Sequence, residues 1–181
     1  MPFTSESAEE LREIARQFVA KECNEWKTLV WDEQCHYPKE LFDQFASLGW
    51  YGIGIPEEDG GSGGTALDLI VLCEELGRGS TDLVACLSLT TSGARTIIAS
   101  GTPEQKAELV PQLMDGTKRT SISISEPDSG SDSASLKARA DRVDEHTWVL
   151  NGQKTWCEAA DHPGTLIQVF VRTDQAAPKH R

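Results

Sequence analysis

Ile122-Ser123-Ile124-Ser125-Glu126-Pro127-Asp128-Ser129-Gly130-Ser131-Asp132 begins with isoleucines and serines in alternation. It then passes into small residues, hydroxyls and carboxylates. Alternation with a period of two predicts a half-buried strand, reaching back to Thr120. The loop after it can bring amides and hydroxyls close to a flat polar ligand. Gly130 permits a close backbone approach or a positive φ there.

Upstream of this strand the periodicity is helical, as far as about Gly116. Ser7-x-x-Glu10 reads as a capping box. Leu11, Ile14, Ala15, Phe18 and Val19 then form one apolar stripe. Pro38 opens a second helix faced by Leu41, Phe42, Phe45 and Leu48 and ended by Gly49. A glycine-rich loop, Asp59 to Gly64, precedes a nearly all-apolar helix from Ala66 to Leu76. Another helix runs from Asp82 to Ser100. Thr102-Pro103-Glu104-Gln105 caps a further one, which Pro111 is expected to kink or end.

Downstream, Trp148 to Trp156 reads as a hairpin turning at Asn151-Gly152, and Leu166 to Arg172 as one more strand. Helices first and antiparallel strands second is the α+β pattern. It divides into an all-helical N-terminal domain, residues 1–117, and a β-domain, residues 118–181.

The 181 residues carry a formal net charge of -12. That balance argues against nucleic acid and against an anionic membrane surface as partners. Lys137, Arg139 and Arg142 could still form a local cationic patch, or be solvated strand-face charges. The five cysteines are odd in number and contain no Cys-x-x-Cys pair. This points to a reducing compartment without a disulfide framework or zinc site, with Cys73 as a small core residue. The acidic, amphipathic N-terminus is unlike a signal peptide. No run is read as long enough for a membrane span.

The loop Ser125-Glu126-Pro127-Asp128-Ser129-Gly130-Ser131-Asp132 resembles the flavin- and substrate-binding signature of the acyl-CoA dehydrogenase family. Other landmarks stand in the family's order. They are Ile53-Gly54-Ile55-Pro56-Glu57-Glu58-Asp59-Gly60-Gly61-Ser62-Gly63, Glu74-Glu75-Leu76-Gly77-Arg78, Gly101-Thr102-Pro103-Glu104-Gln105-Lys106, Pro111-Gln112-Leu113 and Leu150-Asn151-Gly152-Gln153-Lys154-Thr155-Trp156. The resemblance implies a helical domain followed by an antiparallel β-barrel, here incomplete. It also implies FAD as cofactor and α,β-dehydrogenation of an acyl-CoA thioester. An electron-transferring flavoprotein, a homo-oligomer and a cytoplasmic or mitochondrial-matrix location follow from it too. The family's C-terminal helical bundle, which carries the catalytic base, has no counterpart up to Arg181. No catalytic residue is therefore assigned, and the chain alone is expected to be inactive.

Site residues follow from the same resemblance. Ser125 is expected to reach the flavin pyrimidine edge, with the backbones of Ile122 and Ile124 against the ring system. Trp156 is expected beside the ring, and Ser131 on the CoA chain. Glu158 stands where the family usually has Thr or Ser near flavin N5. Trp156 and Glu158 are expected to share a strand face. An ionised Glu158 would disfavour the anionic reduced flavin, whereas a protonated one could donate a hydrogen bond. Two other readings stand beside the dehydrogenase. One is a flavin oxidase or monooxygenase on the same scaffold. The other is a flavin-free structural or binding subunit of a mixed oligomer, favoured by Glu158 and opposed by Ser125, Ser131 and Trp156.

Overall fold

The computed structural model describes residues 5–178, so the last residues of the expected β-domain, 179–181, lie outside it. The chain divides into two compact units, Met1–Arg119 and Thr120–Arg181.

The first unit is helical. Its elements are α1 (Glu6–Glu22), α2 (Glu25–Glu33), α3 (Lys39–Ser47), α4 (Ala66–Gly79), α5 (Thr81–Ser100) and α6 (Pro103–Met114). The start of α1 differs from the expected capping box. Ser5 is the N-cap and accepts from Ala8 N–H, while the Ser7 hydroxyl donates to Asp68 on α4. Reciprocal capping boxes do start α4 (Thr65 with Asp68) and α6 (Thr102 with Gln105). The short helix α2 is not among the helices expected from the sequence; Asn24 caps it by accepting from Lys27 N–H at 2.9 Å. Helix α6 continues through Pro111 to Met114 instead of stopping there.

The core forms where the apolar stripes meet. Phe18, Phe42, Phe45, Trp50 and Tyr51 pack together with Leu72, Leu76, Leu83 and Leu87. Phe18 lies 5.1 Å and Phe45 5.2 Å from Trp50, centroid to centroid, within the range of favourable ring contacts. Ile14 and Leu48, expected on the buried faces, are exposed instead. Cys73 packs against this cluster as a partly buried residue. The glycine-rich segment folds tightly beneath it, where a Cβ on Gly61 would collide with the Ile55 carbonyl.

Helix α5 corrects one expectation: by length and composition it is apolar enough to cross a membrane. In this fold it packs against α3, α4 and α6, and Thr91 donates to the Tyr51 carbonyl at 3.1 Å. Helix α4 is joined to α1 by charge. Glu75, with 1% of its side chain exposed, accepts from Arg16 at 2.9 Å and from Arg12 at 3.0 Å. The Arg16 hydrogen bond, aided by Arg12, holds the Glu75 carboxyl below the ordinary glutamate range against the opposing effect of burial.

The second unit holds β1 (Arg119–Ser123), β2 (Arg139–Arg142), β3 (Trp148–Asn151) and β4 (Thr165–Val169). Strand β1 pairs with β4, and β2 with β3. Each sheet has two strands and is open, so a closed barrel is not seen among the described residues. The hairpin also differs from the expected one. Strand β3 pairs antiparallel with the preceding β2, placing Arg139 opposite Asn151 and Arg142 opposite Trp148. Asn151-Gly152 is therefore the exit from β3. Gly152 has a φ of 148°, and a Cβ there would lie 2.6 Å from Ala138 Cα.

Removing the Glu75 carboxylate leaves two guanidinium groups without their shared buried partner. Glu75→Ala should destabilise the first unit by about 1.5–3 kcal/mol, the worth of buried hydrogen bonds to a charged group. Glu74→Ala, which removes a carboxylate 57% exposed, should cost about 1 kcal/mol or less. Urea unfolding followed by tryptophan fluorescence compares them, and equal losses would contradict this account of α1–α4 docking.

Candidate functional site

The burial of β1 departs from what its alternation suggests. Thr120, Ser121 and Ser123 are buried, whereas Ile122 and Ile124 are only partly so. The strand thus buries its hydroxyls and leaves its two isoleucines partly accessible. Ser123 Oγ lies 2.7 Å from Cys157 Sγ, and the Ser121 hydroxyl has no partner among the described residues. At the end of the strand, the Ser125 carbonyl accepts from Thr155 N–H at 3.0 Å. Neither the N–H nor the hydroxyl of Ser125 donates to a described residue. Two donors therefore stand open beside the partly accessible isoleucines.

Glu126 organises the segment after the strand. Its buried carboxylate accepts from Lys137 N–H at 2.7 Å, Ala138 N–H at 2.8 Å and Lys154 Nζ at 2.9 Å. Burial, the largest single influence, pushes its pKa upward. The Lys137 amide, Lys154 and the Ala138 amide together outweigh that, leaving the pKa below the ordinary glutamate value of 4.5. Lys154 also donates to the Ile124 carbonyl at 2.9 Å. One ammonium therefore ties the segment after β3 to both the strand end and the loop.

The loop itself is a tight turn. Glu126 and Ser129 exchange backbone hydrogen bonds, and the Ser129 hydroxyl donates to the Asp132 carbonyl. Gly130 has no positive φ, and nothing lies within 4 Å of where its Cβ would be. Ser131 is exposed beside it. A cleft of 370 Å³ adjoins the loop, lined by Asp128, Lys137, Arg139, Asn151 and Gln153 among others. The three candidate cations are already engaged. Lys137 pairs with Asp128 and Arg139 with Asp141, each at 2.8 Å, and Arg142 donates to the Asp144 and Glu145 carbonyls.

The expected shared face of Trp156 and Glu158 is not present. Trp156 has a φ of 60° and is 91% exposed. Glu158 is half-buried and opens a turn in which Ala159 has a φ of 50°. Strand parity does not carry across a left-handed residue. His162 lies in the same loop, its N–H bonded to the Ala159 carbonyl. No cluster of metal-ligating side chains occurs among the described residues.

The structure brings Ile122, Ile124, Ser125 and the 154–157 segment together. Glu126, Lys154 and Thr155 do the fixing, yet sequence reasoning assigns them no role. The available signal is that a Glu and a Lys each sit beside a site residue, one in Ser125-Glu126 and one in Lys154-Thr155-Trp156. Because the folded-state pKa of Glu126 is depressed, its stabilisation is present above about pH 4.5 and is lost as pH falls through the lower folded value. Following the Ala138 amide resonance during acid titration should show this transition. Glu126→Gln should remove it, and an unchanged titration in that variant would contradict the assignment.

Comparison with known proteins agrees across both units. The family model "Acyl-CoA dehydrogenase, N-terminal domain" matches residues 5–117, and "Acyl-CoA dehydrogenase, middle domain" matches residues 121–181. Glutaryl-CoA dehydrogenase of Desulfococcus multivorans is 34% identical over 177 residues, which cover 96% of this chain and 45% of that protein. The caffeyl-CoA reductase-Etf complex subunit CarC of Acetobacterium woodii is 30% identical, over 96% of this chain and 46% of that one. Among solved structures, a glutaryl-CoA dehydrogenase from Mycobacterium smegmatis in complex with FADH2 superposes with a TM-score of 0.86 at 29% identity. That match covers 95% of this chain and 44% of the other. The chain thus spans slightly under half the length of these relatives. On these matches, it belongs to the acyl-CoA dehydrogenase family.

Proposed function

We propose that this chain forms the helical and flavin-facing part of an FAD-dependent acyl-CoA dehydrogenase that desaturates the α,β-bond of an acyl-CoA thioester. The observation that carries this reading is the partly accessible isoleucine pair of β1, ending at the two open donors of Ser125. A flat ring system with one polar edge suits that surface, because the isoleucines can cover its face while Ser125 meets its acceptors. The residues present therefore fit a flavin. When bound, a flavin supplies the acceptor for the hydride that leaves the acyl β-carbon.

The roles of the chain's own residues follow from their chemistry. Ile122 and Ile124 exclude water from one side of the ring. Ser125 orients the polar edge through its hydroxyl, its N–H, or both. Trp156, exposed on a left-handed residue, offers a large planar surface to a partner ring. Ser131, exposed beside the tight turn, would contact the CoA chain. Glu158, half-buried where the turn begins, is proposed to lie near flavin N5.

The two open sheets are proposed as part of a barrel. A parallel bridge between Arg139 and Arg172 links the chain after β4 to β2, with Ala140 N–H donating to the Arg172 carbonyl and Arg172 N–H to the Ala138 carbonyl. The relative from Acetobacterium woodii is a subunit of an Etf complex. An electron-transferring flavoprotein is accordingly the proposed redox partner. Assembly as a homo-oligomer, in the cytoplasm or mitochondrial matrix, completes the proposal.

FAD titration followed by flavin absorbance and fluorescence tests the reading. Ser125→Ala should weaken binding by about 0.5–1.5 kcal/mol, the worth of one ordinary hydrogen bond. Trp156→Ala should weaken it by a similar amount through lost ring contact. Unchanged affinity in both variants would place the flavin elsewhere.

A further inference from the structure

We infer that Lys154 is a positioning and polarising residue: it makes the Ser125 N–H a charge-assisted donor toward an electron-rich ligand atom. The inference rests on the proposed flavin function for the identity of that ligand. Its geometry is independent of that function.

The Ile124 carbonyl and the Ser125 N–H are the two ends of one peptide unit. Lys154 Nζ donates to that carbonyl at 2.9 Å. A cation on the oxygen draws electron density along the amide and leaves the N–H a stronger donor. Hydrogen bonds coupled in this way reinforce one another, more so away from water. The setting is sheltered, since the Lys154 side chain is 10% exposed and that of Glu126 5%. Glu126 does not cancel the effect, because its carboxylate is shared with the Lys137 and Ala138 amides. Thr155 N–H holds the Ser125 carbonyl from the other side. The Ser125 N–H is thus oriented by both neighbouring peptide units while having no acceptor among the described residues.

A strengthened, fixed donor of this kind favours an acceptor that carries negative charge. On the flavin reading, that acceptor is the pyrimidine edge, and more so in the reduced cofactor than in the oxidised one. The prediction is therefore a specific change in the cofactor's potential, beyond a loss of stability. Lys154 does not touch the cofactor in this scheme.

Three forms of the chain test it: the native sequence, Lys154→Arg, and Lys154→Met combined with Glu126→Gln so that no buried charge is stranded. The Ser125 amide proton is read by 15N–1H correlation without ligand. FAD affinity and midpoint potential are read with FAD as the probe. In the double variant the Ser125 amide proton should move upfield, FAD should bind about three- to tenfold more weakly, and the potential should fall. Lys154→Arg should keep all three near native values. If the Met/Gln pair does not fold, Lys154→Gln with Glu126→Gln replaces it with the same readings. An unmoved Ser125 resonance in a folded double variant would overturn the proposal. So would failure of both double variants to fold, which would make the pair purely structural. If native chain fails to bind FAD while the Ser125 resonance responds as expected, the flavin reading fails and the polarisation stands.

Discussion

The carboxylate of Glu126 is the point on which the second unit depends. It gathers two backbone amides from the 137–138 segment and the ammonium of Lys154. Burying an isolated carboxylate is costly, and it is tolerable only when its lone pairs are filled and its charge is matched. Satisfying Glu126 therefore fixes three stretches of chain that are far apart in sequence. They are the end of β1, the entry to β2 and the segment leaving β3. The open donors of Ser125 and the partly accessible isoleucines lie along the stretch so fixed. A site built in this way is held by packed and paired groups, while the face it presents stays available.

The helical unit uses the same device. Glu75 is buried between Arg12 and Arg16 and draws α1 onto α4. In both units a carboxylate inside the landmark motifs has a structural role. Neither has the environment of a general base. Each is held below the ordinary glutamate range by fixed donors, and an acid that resists protonation is poorly suited to taking a proton near neutral pH.

Much of the helical unit is legible in the sequence because helical periodicity and capping chemistry are local. Thr65 with Asp68 and Thr102 with Gln105 start their helices through contacts three residues apart. The short α2, with a weak stripe, falls below that signal, and Ser5 takes the capping role expected of Ser7. The β-unit is less legible because its pairings are non-local. Asn151-Gly152 has the wording of a tight hairpin turn, but β3 takes the preceding β2 as its partner. The alternation in β1 does mark a strand. The side it buries depends on neighbours such as Cys157, which a pattern of period two does not contain. Ser125 is found through the motif around it. Lys154 stands in a landmark motif too, but its role is not legible there, since its two acceptors lie 28 and 30 residues away.

The central claim is that the isoleucine face of β1 receives the flavin ring. Nuclear Overhauser contacts between FAD and the isotope-labelled chain test this most directly. The account predicts cross-peaks from isoalloxazine protons to the Ile122 and Ile124 methyl groups and to the Trp156 indole, accompanied by a shift of the Ser125 amide. FAD binding with cross-peaks confined to other residues, and with these four unperturbed, would contradict it.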